Sequence, residues 1–77
     1  MKYEIYWLSE DKTLYSNYAK NKRELKSKVN YFVNEKGLKL NDNDRFNNLQ
    51  VSKRLRNGHW LILSAQEVLN EMKVKEV

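Results

Sequence analysis

Few residues in this sequence have side chains that could perform chemistry. The 77 residues include a single histidine, His59, and no cysteine, which excludes a thiolate nucleophile, a disulfide framework and zinc sites that contain cysteine. A catalytic triad or a metal centre requires several reactive groups at one point. His59 instead follows the pair Asn57-Gly58, which is typical of a tight turn. We therefore interpret His59 as an exposed residue beside a turn, and predict no catalytic residue.

Two motifs that would bind ions or phosphates are incomplete. The polar run at 41–44 is similar to the start of a calcium loop, but glycine and glutamate are required at its sixth and twelfth positions, where Phe46 and Ser52 stand. A frame that starts one residue later fails as well. A glycine-rich phosphate loop is excluded because Gly37 and Gly58 are the only glycines. We predict no metal, no cofactor and no enzymatic activity.

Positive charge is a more informative property of the chain. It carries 15 Lys and Arg against 10 Asp and Glu, which gives a net charge of +5 and a pI near 9.5 and is compatible with polyanionic partners. Lysine and asparagine are also abundant in proteins encoded by AT-rich genomes, so the charge is explained equally well by composition or by function. Two clusters stand out, Lys20, Lys22 and Arg23 in one, and Lys53, Arg54 and Arg56 in the other.

These six cations are the candidate polyanion-binding residues. The first cluster surrounds the predicted start of a helix, where cations and free backbone N–H groups together suit a phosphate-sized anion. The second lies at the predicted tip of a hairpin, from which a β-ribbon can present cations to a nucleic-acid groove or an acidic protein surface. The alternative for both clusters is ordinary solvated charge, which also protects sheet edges from pairing.

The elements that must position these residues begin with a β-hairpin. Residues 3–9 and 13–19 alternate apolar and polar side chains, with the polar turn Ser9-Glu10-Asp11-Lys12 between them. Pairing about that turn places Trp7 opposite Leu14 on the core side, and directs Tyr6 and Tyr15 to the other face.

A helix over 22–36 and a second hairpin follow. Asn21 and Glu24 have the spacing of an N-cap and the third helical residue, and Gly37 suits the C-terminal end. The second hairpin pairs 49–55 with 60–64 about Asn57-Gly58, for which we predict a two-residue type I′ turn with Leu55 opposite Trp60. A capping box at Ser64 and Glu67 predicts a last helix over 65–74.

The order ββαββα predicts a single small α+β domain. We expect a two-layer sandwich in which a four-stranded antiparallel sheet carries both helices on one face. A helix over 44–55 in place of the third strand remains an alternative. The predicted core comprises Ile5, Trp7, Leu14, Leu25, Val29, Phe32, Val51, Leu55, Trp60, Ile62 and Leu69.

The other face of the predicted sheet is open. On the predicted registers it carries Tyr6, Tyr15, Leu61 and Leu63 beside Arg54, and monomers seldom expose a large contiguous apolar patch. We predict that these five residues form a protein-binding site, because adjacent aliphatic side chains suit a protein partner better than they suit stacked bases.

We therefore expect a cytoplasmic, non-enzymatic protein-binding module, an accessory or inhibitory factor that acts through the open face and the basic hairpin tip. The alternative is a small basic nucleic-acid-binding protein. Self-association is a further alternative, and no membrane contact is expected because no apolar run is long enough to span one. No motif identifies a family, although the size and the Lys and Asn content resemble those of accessory proteins from low-GC bacteria, their phages and mobile elements.

Overall fold

The chain forms an α+β fold, and the computed structural model describes residues 2–40 and 45–73. Its strands are β1 (Tyr3–Leu8), β2 (Leu14–Ala19), β3 (Lys39–Leu40), β4 (Asn48–Arg54) and β5 (Trp60–Ile62). Its helices are α1 (Lys22–Asn34) and α2 (Ala65–Glu71). The polar run at 41–44 lies outside the described residues. α2 ends at Glu71, three residues before the predicted end at 74.

The described strands form one mixed sheet in the order β2-β1-β4, with β3 and β5 both pairing with β4. β1 is antiparallel to β2 and to β4, and β5 is antiparallel to β4, whereas β3 runs parallel to the start of β4. The four predicted strands are antiparallel to their neighbours, as predicted, but β3 adds a fifth, parallel strand that makes the sheet mixed. The prediction missed β3 because a strand of two residues is too short to show a pattern. The helical alternative for 44–55 is also wrong, since β4 is paired on both of its sides.

Both helices contact the same face of β1. The Trp7 ring lies 4.7 Å from the Phe32 ring of α1, and the Tyr3 hydroxyl donates to Glu71 of α2 at 2.9 Å. Because side chains alternate along a strand, Tyr3 and Trp7 share one side of the sheet. This shared side is where the core forms.

The β1–β2 hairpin differs from its predicted register by one residue, so that Trp7 lies opposite Tyr15 and not Leu14. The loop has three residues: the Lys12 N–H donates to the Ser9 carbonyl at 2.9 Å, and Lys12 has a φ of 67°. This is a type I turn followed by a left-handed residue. A slip of one residue sends every side chain of the strand to the other face, which is why Leu14 lies outside the core.

The β4–β5 hairpin also differs from its predicted register by one residue, again because its loop has three residues. Trp60 lies opposite Arg54 and not Leu55. The Gly58 N–H donates to the Leu55 carbonyl at 3.0 Å, and Gly58 has a φ of 85° whereas Asn57 is not among the positive-φ residues. A type I′ turn needs positive φ at both central residues, so the predicted turn type is wrong and a three-residue loop again sets the register.

The predicted N-caps of both helices are confirmed, whereas the C-cap of α1 is Glu35, two residues before Gly37. The Asn21 side chain accepts the Glu24 N–H at 2.9 Å at the start of α1, and Ser64 and Glu67 form a reciprocal capping box at the start of α2. α1 ends at Asn34, two residues before the predicted end, after which the chain turns back and buries Leu38. The sequence therefore predicted where both helices begin more accurately than where α1 ends.

The core lies between the helices and the sheet. Its buried apolar residues are Tyr3, Ile5, Ala19, Leu25, Val29, Phe32, Leu38, Leu49, Val51, Leu63 and Val68, with Trp7 packed against them. Of the predicted core residues, Ile5, Leu25, Val29, Phe32 and Val51 are confirmed, whereas Leu14, Leu55, Trp60, Ile62 and Leu69 are exposed. The changed registers move Leu14 of β2 and Trp60 and Ile62 of β5 out of the core. Leu55 lies at the turn that follows β4. In α2, Val68 is buried in place of its neighbour Leu69.

Candidate binding surfaces

One face of the sheet lies opposite the face that the described helices contact, and the strand registers define its residues. We call it the helix-free face. Its side chains are those of β1 that alternate with Tyr3 and Trp7, together with their cross-strand partners. They are Glu4, Tyr6, Leu8, Leu14, Ser16, Tyr18, Gln50, Ser52, Arg54, Trp60 and Ile62.

Of the five residues predicted to form a protein-binding site, only Tyr6 and Arg54 lie on this face. Leu63 is 3% exposed and belongs to the core. Tyr15 and Leu61 are exposed, but they lie on the helix-bearing side because both hairpins are displaced by one residue. The prediction of an apolar open face thus named three wrong residues.

The same displacement puts other apolar side chains on the helix-free face. Leu14 is 67% exposed and Ile62 is 62% exposed, and Tyr18 and Trp60 are more than a third exposed. Leu14 and Tyr18 belong to β2 at one margin of the sheet, and Trp60 and Ile62 belong to β5 at the other. The helix-free face therefore has two apolar margins.

Polar side chains lie between these margins. The Tyr6 hydroxyl and Ser52 Oγ are 3.3 Å apart and share a hydrogen bond. Glu4, the acidic residue of this face, lies opposite Tyr18, and interaction with its carboxylate raises the pKa of Tyr18. The acid of the helix-free face is thus already engaged within the sheet.

The sheet topology brings the two predicted basic clusters to one end of the molecule. β2 and β4 flank β1 and are both antiparallel to it, so their carboxyl ends lie at the same end of the sheet. The Lys2 N–H donates to the Ala19 carbonyl at 3.1 Å, and its carbonyl accepts the Arg54 N–H at 2.8 Å. We call this region the basic end; its cations are Lys2, Lys20, Lys22, Arg23, Lys53, Arg54 and Arg56.

Glu71 at the end of α2 forms ion pairs with two of these cations. Its carboxylate accepts from Lys53 Nζ at 2.6 Å and from the Tyr3 hydroxyl at 2.9 Å, and lies 3.5 Å from Lys22 Nζ. Burial acts to raise the pKa of Glu71, but the hydrogen bonds from Lys53 and Tyr3 and the charges of both lysines outweigh it and lower this pKa. Lys53 of β4 therefore holds α2 on the sheet, and Lys22 links α2 to the start of α1, so that both lysines have a structural role.

The remaining cations of the basic end are exposed. Within residues 2–40 and 45–73, Lys20, Arg23, Arg54 and Arg56 have no carboxylate within ion-pair distance. Arg54 lies directly opposite Trp60, so that a guanidinium and an indole occupy neighbouring positions of the helix-free face. Four of the six predicted polyanion-binding residues are therefore available for an external partner.

Sequence reasoning missed Lys2, Trp60 and Glu71 as parts of these surfaces. Lys2 directly precedes the first strand, and only the central position of β1 shows that it lies between both clusters. Trp60 was assigned to the core by the wrong register. No local sequence pattern indicates the role of Glu71, because its partners Lys22 and Lys53 are distant in sequence.

The described residues hold no assembled reactive centre. Among them, no three His, Cys, Asp or Glu side chains are grouped as metal ligands would be. Neither α1 nor α2 has the length and apolarity to cross a bilayer. The two surfaces described above are thus the features on which a function can be argued.

Comparison with known proteins finds no matching family model, no similar curated protein and no similar solved structure.

Proposed function

We propose that the protein is a non-enzymatic protein-binding module, an accessory or inhibitory factor of the cytoplasm. It docks through the helix-free face and the adjoining tip of the β4–β5 hairpin. The observation that carries the proposal is the exposure of Leu14 and Ile62 on a sheet face that lies opposite both described helices. Burial of such side chains on a partner is the main source of stability in protein interfaces.

The composition of this face supports a protein partner. Interface anchors are most often Trp, Tyr and Arg, surrounded by polar groups, and Trp60, Tyr18 and Arg54 all lie here. The partly exposed Tyr6 and Gln50 supply hydrogen-bonding groups between the apolar margins. A partner surface with acidic groups near the hairpin tip would complement Arg54 and Arg56.

A different protein fits this surface better than a second copy of the chain. The net charge is +5, and like charges on two copies oppose association unless they are paired. Self-association is thus the second outcome to measure, by sedimentation of the free protein.

Site-specific photo-crosslinking tests the proposal directly. A photoreactive amino acid replaces the exposed Ser16 on the helix-free face in one variant and the exposed Ser27 of α1 in another. We expect the Ser16 variant to form one dominant protein adduct in cells that express it, and the Ser27 variant to form none. Adducts from Ser27 alone would show that the binding surface lies on the helices.

A matched pair of double variants measures the contribution of the apolar margins. Leu14→Ser with Ile62→Ser changes the helix-free face, whereas Tyr31→Ser with Leu69→Ser changes two exposed apolar residues of the helices. We expect the first pair to weaken binding of the crosslinked partner by about 100-fold, since each anchor contributes on the order of 1 to 2 kcal/mol. Equal binding by both pairs would contradict the proposal.

A further inference from the structure

The basic end and its neighbouring tryptophan form a second surface with chemistry of its own. We infer that it binds a single-stranded nucleic acid, with phosphates on Lys20, Arg54 and Arg56 and an unpaired base stacked on Trp60. This site shares Arg54, Arg56 and Trp60 with the proposed protein-binding surface, but its ligand goes beyond that function, and its tests with purified oligonucleotides do not depend on it.

The strand order sets the spacing of these groups. Lys2 is hydrogen-bonded through its backbone to Ala19 on one side and to Arg54 on the other, and Arg54 pairs with Trp60. Neighbouring strands are about 4.8 Å apart, so the end of β2 and the start of β5 are separated by roughly 14 Å. A row of this length can follow the backbone of a short nucleic-acid segment across the end of the sheet.

The charge that remains at this end is positive. Of the acids nearby, Glu71 is bound by Lys22 and Lys53. Glu4 contributes one formal negative charge, which is outnumbered by the exposed cations of the basic end. The exposed cations of the basic end are therefore not cancelled by carboxylates of the described chain. Phosphate groups complement such a surface and release counterions when they bind it.

Trp60 favours an unpaired strand over a duplex. Its side chain is 44% exposed on the open sheet, directly beside Arg54. Aromatic rings of sheet platforms stack on bases that are splayed out, whereas a duplex keeps the base faces covered. An acidic protein would complement the cations as well, but it would not need an aromatic ring at this position.

Fluorescence anisotropy with a labelled oligothymidylate of about 12 nucleotides, and with the corresponding duplex, tests the site. We expect the single strand to bind more tightly than the duplex. With about four phosphates engaged, the logarithm of the binding constant should fall with the logarithm of salt concentration at a slope of roughly −3.

Charge-reversal variants distinguish binding at this site from nonspecific attraction of the nucleic acid to a positively charged protein. Arg54→Glu with Arg56→Glu should weaken single-strand binding at least about 10-fold at low salt and make the slope shallower by roughly 1.4. Lys26→Glu with Lys36→Glu changes the net charge equally, at exposed positions in α1 and just after it, away from Arg54, and should cost less than about 3-fold. Equal losses from both pairs would overturn the proposal.

Trp60→Leu tests the stacking contact. We expect it to weaken binding of the single strand about 5- to 100-fold, with little effect on any duplex binding. Circular dichroism identical to that of the original protein ensures that the variant is folded. Three results would each refute the site: the original protein does not bind oligothymidylate, it binds the duplex as tightly as the single strand, or folded Trp60→Leu binds with unchanged affinity.

Discussion

The two hairpins share one loop geometry but differ in the residue that makes it possible and in what their strands bury. Each has a three-residue loop that ends in a left-handed residue, which is Lys12 in the β1–β2 hairpin and Gly58 in the β4–β5 hairpin. Glycine adopts this conformation without cost, whereas a residue with a Cβ is strained there. Glycine is thus a signal for this loop but not a requirement, and neither register could be recognised from the turn residues alone.

The hairpins also differ in how deeply they are buried. β1 is the central strand between β2 and β4, and its Tyr3 and Ile5 are completely buried. All three residues of β5 are exposed. β1 therefore contributes mainly to stability, whereas β5 remains available for binding.

The largest effect expected from this difference concerns two isoleucines. Ile5→Ala leaves a cavity in the core and should lower the free energy of unfolding by about 3 kcal/mol. Ile62→Ala removes a side chain that is 62% exposed and should change it by less than about 0.5 kcal/mol. Urea denaturation followed by circular dichroism measures both, and similar losses would show that β5 is buried in solution.

The next effect concerns Glu71, which connects Tyr3 of the first hairpin to Lys53 of the second. Glu71→Gln should cost about 1 to 2 kcal/mol at neutral pH, because it removes the charge from two hydrogen bonds. The control Glu35→Gln, at an exposed position after α1, should cost less than about 0.5 kcal/mol.

The pH dependence of that loss follows from the lowered pKa of Glu71. A carboxyl group whose pKa is lower in the folded than in the unfolded state stabilises the fold above the unfolded pKa, and this stabilisation disappears as the pH falls through the folded pKa. The difference between the original protein and Glu71→Gln should therefore shrink below about pH 4.5. A difference that stays constant down to pH 3 would disprove the ionic contact.

A smaller effect is expected at the left-handed position of the second loop. Gly58→Ala meets no atom within 4 Å of the added Cβ, so its cost comes only from the φ of 85°. We expect a loss of about 1 kcal/mol, with Gly58→Asn losing less because asparagine tolerates this conformation. In thermal unfolding, the original protein should have the highest Tm, Gly58→Asn the next and Gly58→Ala the lowest. A Gly58→Ala variant more stable than the original protein would contradict the loop geometry.

The smallest effect is the reverse substitution in the first loop. Lys12→Gly relieves the positive φ of 67° but also increases the freedom of the unfolded chain, and should stabilise the protein by up to about 0.5 kcal/mol. Substitution of Thr13 by Gly, next to the loop, gives no such relief and should destabilise the hairpin. A loss of stability from Lys12→Gly would mean that the loop adopts another turn.

Local signals predicted the parts of the fold that depend on nearby residues. The N-caps Asn21 and Ser64 were recognisable because capping uses side chains within three residues of each other. The apolar stripe Leu25, Val29 and Phe32 was recognisable from its helical spacing. The presence of an open, partly apolar sheet face was likewise predicted, although most of its residues were not.

The registers could not be predicted in the same way. A loop of two residues and a loop of three are both compatible with the strand patterns, and the choice exchanges the two faces of β2 and β5. In the folded protein the choice buries the small Ala19 and the large Leu63, and lets Tyr15 stack on Trp7 at 5.2 Å. These contacts join residues that are far apart in the chain or on different elements.

The sequence by itself determined the class of this protein: the starts of its helices, its basic charge, and its lack of cysteine and of a glycine-rich phosphate loop all follow from residue types and short spacings. Only the tertiary structure decided which side chains are exposed and that two distant basic clusters meet at one end of the sheet. The physical reason is that capping and periodicity act within a few residues, whereas strand register and cross-strand proximity depend on which packing buries the most apolar surface.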